Sequence, residues 1–109
     1  MKTNFIYMTV GSRDEATKIG KKLVNSKLAA CVNILDNMHS IYLWKGEIQD
    51  DTEVVIIAKT TEDRVAELIE KVRSMHSYEC PCIVSLPVSG GHQPFLDWIA
   101  KEVKNRPTT

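Results

Sequence analysis

The chain has 109 residues, of which 43% are hydrophobic and 26% charged, so its length allows one domain with a sizeable core and not two. Lysine and arginine number 14, as do aspartate and glutamate, and this balance argues against a nucleic-acid-binding face or a polybasic membrane handle. The sequence shows no secretory signal and no membrane-length apolar run, and its three cysteines then favour reduced thiols. We expect a single cytoplasmic domain spanning residues 1–109.

The first quarter of the chain predicts a strand followed by a helix. Phe5–Val10 is an apolar run rich in β-branched and aromatic residues, typical of a buried strand. Ser12 and Glu15 have the spacing of a capping box, in which each side chain satisfies the other's free backbone donor. We expect the helix to end near Lys27. Its predicted apolar face consists of Ala16, Ile19, Gly20, Leu23 and Val24.

The middle of the chain predicts a β-hairpin. Ala29–Leu35 has the composition of a strand, and Ser40–Ile48 continues it after the irregular segment Asp36–His39. The polar cluster Gln49–Thr52 is a turn signal. Glu53–Lys59 then predicts a central strand, because it is apolar on both faces.

A second helix and a fourth strand follow. Thr60 or Thr61 suits the N-cap of this helix. Its apolar stripe is predicted to contain Val65, Leu68, Ile69 and Val72, with Met75 as an extension. Ile83–Val88 predicts the fourth strand, and Pro87 near its end indicates an edge position.

The order of these elements predicts the fold class. Pro94 suits the first position of a last helix that we expect to reach about Asn105, followed by a frayed tail. The order is therefore βαββαβ plus one C-terminal helix. Two βαβ units around a hairpin make the ferredoxin-like split fold, an α+β architecture with an antiparallel sheet and both main helices on one face.

The segment His76–Cys82 contains the candidate metal ligands. Thiolate and imidazole are preferred by soft and borderline metals. Cys80 and Cys82 project to the same side if the segment is extended, and His76 lies near the predicted helix end. This set suits Cu(I) or, with a further ligand, zinc. The alternative is that the thiols are small buried hydrophobic groups and the imidazole is hydrogen-bonded.

Five motifs in order resemble those of the CutA family, which is named for divalent-cation tolerance. They are Leu28–Ile34, Ser40–Ile48, Glu53 with Lys59 and Thr60, His76–Pro81 and Phe95–Ile99. The resemblance implies a ferredoxin-like fold similar to the nitrogen-signalling protein PII and a tightly packed homotrimer. It also implies no enzyme activity and a loosely defined role in metal tolerance, to which copper binding is often attached.

The resemblance also bears on the metal site. The family's usual run is His-Pro-Tyr-Glu-Val-Pro-Glu, from which Ser77, Cys80 and Cys82 depart. The family site is proposed to combine the motif His, the motif Glu and a Cys on the first strand. Here His76 matches, Cys82 stands in place of the Glu, and Met8 in place of the Cys. Such a set favours Cu(I) over hard cations, but loss of the Glu is equally compatible with no site.

Several other residues are candidates for a ligand cleft or a subunit interface. The aromatic members are Tyr42, Trp44, Tyr78 and Trp98, for which we favour interface packing. Lys59 suits either an anion-binding corner or an exposed strand end. Lys59, Tyr78 and Glu79 would supply converging polar groups to a PII-like cleft. Cys31, a lone strand thiol, is expected to pack in the core.

Three functions compete on this basis. The first is a homotrimeric, non-enzymatic protein of metal tolerance that binds copper. The second is a PII-like regulatory or adaptor trimer that binds a small molecule or an unidentified protein partner. The third, an enzyme on the same fold such as a small acyl-phosphate hydrolase, is disfavoured because the phosphate-binding loop and its arginine–asparagine pair are not evident.

Overall fold

A computed structural model describes residues 2–104 and contains one four-stranded sheet flanked by helices. The strands are β1 (Thr3–Val10), β2 (Cys31–Trp44), β3 (Glu47–Thr61) and β4 (Ile83–Pro87). The helices are α1 (Arg13–Asn25), α2 (Val65–Met75) and α3 (Gln93–Glu102). A short 3-10 helix, Glu62–Arg64, precedes α2.

The sheet has the strand order β2-β3-β1-β4, and all neighbouring strands are antiparallel. The helix α1 joins β1 to β2 with β3 between them, and α2 joins β3 to β4 with β1 between them. Each βαβ unit is therefore split by a strand of the other unit. The predicted ferredoxin-like α+β fold is confirmed, and so is the edge position of the strand that contains Pro87.

The main core lies between the sheet and helices α1 and α2. Alternation along β1 directs Ile6, Met8 and Val10 towards these helices and Tyr7 and Thr9 to the opposite side, which we call the open face. The two helices contribute Ala16, Ile19, Leu23, Leu68 and Val72 to this core. One end of the open face is covered by α3, whose Ile99 and Val103 pack near Phe5.

The predicted helix faces and ends need small corrections. Val24 and Met75 are exposed rather than part of the apolar stripes. The first helix ends before Lys27, which has a positive φ of 61°. Thr61 precedes a 3-10 turn instead of capping α2 directly. The last helix ends at Glu102, and the predicted end at Asn105 lies outside the described residues.

The hairpin turn is the main correction to the predicted fold. The segment Gln49–Thr52 lies inside β3, and the chain reverses at Lys45 and Gly46, between the paired residues Trp44 and Glu47. Lys45 and Gly46 have φ values of 50° and 82°. Positive φ at both central residues is what a two-residue hairpin loop with the correct twist requires. The prediction of a turn at Gln49–Thr52 was therefore wrong.

The polar segment Gln49–Thr52 was predicted to be a turn, but it belongs to a two-stranded extension of the sheet. We call the segments Met38–Trp44 and Glu47–Glu53, which pair with each other beyond the end of β1, the arm. With solvent on both sides, its strands accept polar residues without becoming a turn, and the Tyr42 hydroxyl donates a 2.7 Å hydrogen bond across the arm to Asp51. The predicted irregular segment is a bulge in β2 at which Asn37 has a φ of 60°.

Gly20 allows α1 to pack closely on β2. A Cβ atom at this position would lie 2.8 Å from Cγ2 of Val32, closer than van der Waals contact permits. Because valine is branched at Cβ and stiff at χ1, it has little freedom to turn away.

We predict that Gly20→Ala destabilises the protein despite alanine's better helix propensity. The propensity gain is about 1 kcal/mol, whereas overpacking costs about 1–3 kcal/mol. In a Val32→Ala background the clash disappears, so the same substitution should become neutral or stabilising. Urea denaturation of the four proteins at one fixed protein concentration measures this coupling. Equal effects of Gly20→Ala in both backgrounds would contradict the packing explanation.

Candidate functional site

The segment from His76 to Cys82 fills the corner where β1 ends and the arm begins. The helix α2 ends at Met75, and His76 is already extended. The segment returns along β1, where the Thr9 amide donates to the Cys82 carbonyl at 3.4 Å. The motif singled out in the sequence is therefore a connection between α2 and β4 that is held against the first strand.

The imidazole of His76 is a structural group in this corner. Its side chain is fully buried. Nε2 lies 2.7 Å from the Thr9 carbonyl oxygen, and Nδ1 accepts a 3.0 Å hydrogen bond from the Tyr78 amide. Because a carbonyl only accepts and an amide only donates, the proton resides on Nε2 and the ring is neutral. Both ring nitrogens are thus occupied by the backbone, which leaves neither free for a metal.

Ser77 binds the segment to the first turn of α1. Its amide donates to Oε2 of Glu15 at 2.9 Å, and its hydroxyl donates to Oε1 at 3.0 Å. Half of the predicted capping box forms, since Ser12 Oγ accepts from the Glu15 amide at 3.1 Å. The Glu15 carboxylate, however, is used by Ser77 and not by the Ser12 amide. A proline at position 77 would supply neither of these two donors.

The four predicted metal ligands are not brought together. Met8 is completely buried in the core on the helix side of the sheet, whereas Cys80 and Cys82 line a cavity on the open face. His76 is engaged as described above. Among residues 2–104, no group of three or more histidine, cysteine, aspartate or glutamate side chains is arranged to hold a metal ion. The residues of one chain therefore do not fit the predicted four-ligand copper site.

A cavity of about 580 Å³ opens on the open face. It lies at the base of the arm, between β1 and the segment after α2. Six of the residues predicted for the site line it together: Tyr42, Trp44, Tyr78, Glu79, Cys80 and Cys82. Its volume is that of a small-molecule pocket.

Lys59 and Trp98 lie elsewhere, at the end of the sheet that α3 covers. The Lys59 ammonium lies 5.8 Å from the ring centre of Phe5 and 5.5 Å from that of Phe95. Phe95 stacks on Trp98 with ring centres 5.8 Å apart. The lysine therefore contacts aromatic faces and does not line the cavity.

Glu53 is the important cavity residue that the sequence did not identify as a site. It is only 8% exposed, and its Oε2 accepts a 2.9 Å hydrogen bond from the Tyr78 hydroxyl. The sequence did contain a signal for it, because Glu53 is a carboxylate at the start of the predicted strand Glu53–Lys59, whose next five residues are apolar. Tyr7, Thr9 and Met38 also line the cavity, because alternation of the strands places them on the open face.

Burial and negative charge dominate the electrostatics of the cavity. The pKa of Tyr78 is raised strongly above its usual value, first by burial and then by its hydrogen bond to Glu53. Burial, followed by the charge of Glu53, raises the pKa of the Cys82 thiol. The hydrogen bond to Asp51 raises the pKa of Tyr42. All three groups are therefore held in their protonated forms.

Comparison with known proteins identifies the family. The family model described as CutA1 divalent ion tolerance protein matches residues 4–102. The chain belongs to the CutA1 family. The divalent-cation tolerance protein CutA of Archaeoglobus fulgidus is 46% identical over 101 residues, which are 93% of this chain and 98% of that protein. The structure described as the periplasmic protein CutA from that organism has a TM-score of 0.90 at 45% identity and covers 94% of this chain and 99% of its own.

A plant relative indicates how varied the locations of such proteins are. The chloroplastic protein CutA of Arabidopsis thaliana is 37% identical over 100 residues, which are 92% of this chain but 55% of that protein. With one relative described as periplasmic and another as chloroplastic, the cytoplasmic location of this chain stays a prediction. Within residues 2–104, no helix has the length and apolar character needed to cross a membrane.

We predict that Tyr78→Phe lowers the free energy of unfolding by about 1–3 kcal/mol, because it leaves the buried Glu53 carboxylate without its donor. The matched control is Tyr42→Phe, whose lost bond is to the exposed Asp51 and should matter less.

The loss caused by Tyr78→Phe should also depend on pH. Since folding raises the pKa of Tyr78 above its usual 10.0, its stabilisation is fully present below pH 10.0 and is lost as the pH rises further. Urea denaturation at fixed protein concentration, between about pH 8 and about pH 11, should show the difference from wild type shrinking. A constant difference would contradict the assigned bond.

Proposed function

We propose that this chain acts as a non-enzymatic homotrimer in tolerance of divalent metals and that its metal contact is made by two thiols. The family to which it belongs is named for ion tolerance rather than for a reaction. The observation that carries the trimer is the apolar surface of the arm, and the observation that carries the metal contact is the placement of Cys80 and Cys82 on one cavity.

The arm has an apolar side that its own chain leaves uncovered. Ile41, Leu43 and Ile48 are 68%, 69% and 76% exposed, and Leu43 lies directly opposite Ile48 in the ladder. The arm also extends the molecule, because the radius of gyration is 14.8 Å where about 13 Å is typical for this length. Large apolar side chains on a protruding element are characteristic of an element that packs on another subunit.

A second exposed apolar patch supplies the complementary surface. Leu35, Val84 and Leu86 are about half exposed on the open face of the sheet. If the arm of one chain covers this patch on the next chain, the contact joins two different surfaces. Such head-to-tail contacts either close into a ring or continue into a filament. In a closed ring of three chains, every arm and every apolar patch is covered by a neighbour, and such a ring agrees with the trimer implied by the family resemblance.

The proposed metal contact uses fewer ligands than the sequence predicted. Met8 and His76 are engaged in the fold, so Cys80 and Cys82 are the pair that remains accessible, and both are exposed. Soft thiolate ligands favour Cu(I), which accepts low coordination numbers. Although part of Cys82 is exposed, desolvation within the cavity raises the pKa of its thiol, so the thiol is protonated at neutral pH. Binding of Cu(I) must release this proton, and the affinity for Cu(I) should therefore increase with pH.

We predict that the double variant Leu43→Asp/Ile48→Asp converts the trimer to a folded monomer, because it places charge in the proposed contact. Light scattering measures the mass, and circular dichroism checks that the fold persists. The matched control is Val24→Asp, an exposed apolar residue on α1, which should remain trimeric. A wild-type protein of one-chain mass, or a double variant with unchanged mass, would contradict this prediction.

We predict that Cys80→Ser/Cys82→Ser abolishes Cu(I) binding, measured by competition with a chromogenic Cu(I) chelator under reducing conditions. Cys31→Ser is the matched thiol control, and Met8→Leu removes the buried sulfur with little change of volume. Both should bind like wild type. Loss of binding in Met8→Leu would favour the original four-ligand set, and no binding by wild type would remove the metal contact from the proposal.

A further inference from the structure

The cavity on the open face contains a carboxylate, Glu53, that no basic side chain of residues 2–104 pairs with. Glu53 is 8% exposed, and one of its oxygens accepts the Tyr78 hydroxyl proton. Within residues 2–104, its second oxygen has no hydrogen-bond donor, and no lysine, arginine or histidine forms an ion pair with Glu53. This second oxygen is accessible from the cavity, so it can accept a hydrogen bond from an occupant or lie against its positive charge.

The other charged group of the cavity is also negative. Glu79 lines it, and among the described residues no basic side chain does. The nearest cation to Glu79 is the exposed ammonium of Lys45, at 3.9 Å, where solvent weakens the attraction. The field inside the cavity therefore favours a positively charged occupant.

The walls of the cavity are aromatic. Tyr7, Tyr42, Trp44 and Tyr78 all line it. The faces of these rings attract cations, and they also provide apolar surface for alkyl groups. Among residues 2–104, no three histidine, cysteine, aspartate or glutamate side chains are placed to hold a metal ion together, so the aromatic walls favour an organic cation over a metal ion.

We propose that this cavity binds an organic cation, a substituted ammonium whose charged head lies at Glu53 and whose alkyl part contacts the aromatic walls. The site differs from the proposed metal contact, because it uses a carboxylate and aromatic rings instead of the two thiols. The residues that line it in this structure all belong to one chain, and the site has to stay accessible when the arm of a neighbouring chain covers Leu35, Val84 and Leu86 on the same face. The volume of about 580 Å³ accommodates a head group with a short substituent.

Choline and its neutral carbon isostere provide the test, since the isostere replaces the trimethylammonium head with a tert-butyl group of the same shape. Calorimetry on the full-length protein as purified should show choline binding about tenfold or more tightly than the isostere. Glu53→Gln should reduce the affinity for choline to that for the isostere. Glu62→Gln is the matched control, because Glu62 is exposed and begins the 3-10 helix just beyond the far end of β3, which is about 26 Å from Glu53 along the strand.

A second measurement locates the bound cation and does not require the Glu53→Gln variant to fold. The chain has two tryptophans, so Trp98→Phe leaves Trp44 as the only indole reporter. Choline, but not its isostere, should change the Trp44 fluorescence with the affinity found by calorimetry.

The proposal is overturned by equal affinity for both compounds or by no choline binding to the assembled protein. It is also overturned by unchanged binding in folded Glu53→Gln, or by displacement of choline by Mg²⁺. The metal proposal is tested separately, because the Cys80→Ser/Cys82→Ser variant retains Glu53 and should still bind choline.

Discussion

The length of β3 is the constraint on which the rest of the structure depends. This strand pairs with β2 along almost its whole length, but with β1 only from Val54 onward, since β1 ends at Val10 where the chain turns into α1. The sheet therefore narrows from four strands to three beyond Met8, where the pairing with β4 stops, and to two at Glu53. On one side of this step the strands are covered by helices and form the core. On the other side they form an arm with both faces uncovered.

The corner created at this step explains why the segment after α2 is so polar. The pairing of β1 with β4 stops at Met8, so the backbone groups of Thr9 on that edge need other partners, and His76 and Cys82 supply them. Ser77 adds two hydrogen bonds to Glu15 at the start of α1. His76, which the sequence predicted to be a metal ligand, uses both ring nitrogens for these backbone hydrogen bonds. Its buried ring thereby anchors the segment.

The same corner concentrates negative charge behind aromatic rings. Glu53 is buried where the sheet narrows, and the Tyr78 hydroxyl donates a hydrogen bond to it. The two cysteines that depart from the family's usual motif are placed on this cavity as well. One chain thus offers two chemically different contacts close together: a pair of thiols suited to a soft metal, and a carboxylate among aromatic rings suited to an organic cation.

The sequence by itself determined the element order, the antiparallel ferredoxin-like sheet and the family. Periodicities of about 3.6 and 2 residues report local conformation, and the order of the elements leaves few topologies. It also named six of the residues that line the cavity, but in two separate sets: Cys80 and Cys82 as metal ligands, and the other four as cleft or interface residues. The sequence misplaced the hairpin turn. A polar segment indicates exposure to solvent, and the strands of the arm are exposed although the chain does not reverse there. Only the tertiary structure decided that Met8 faces the core, that both nitrogens of His76 are occupied, and that Glu53 is buried beside Tyr78. These properties arise from contacts between residues distant in the chain, which no local pattern encodes.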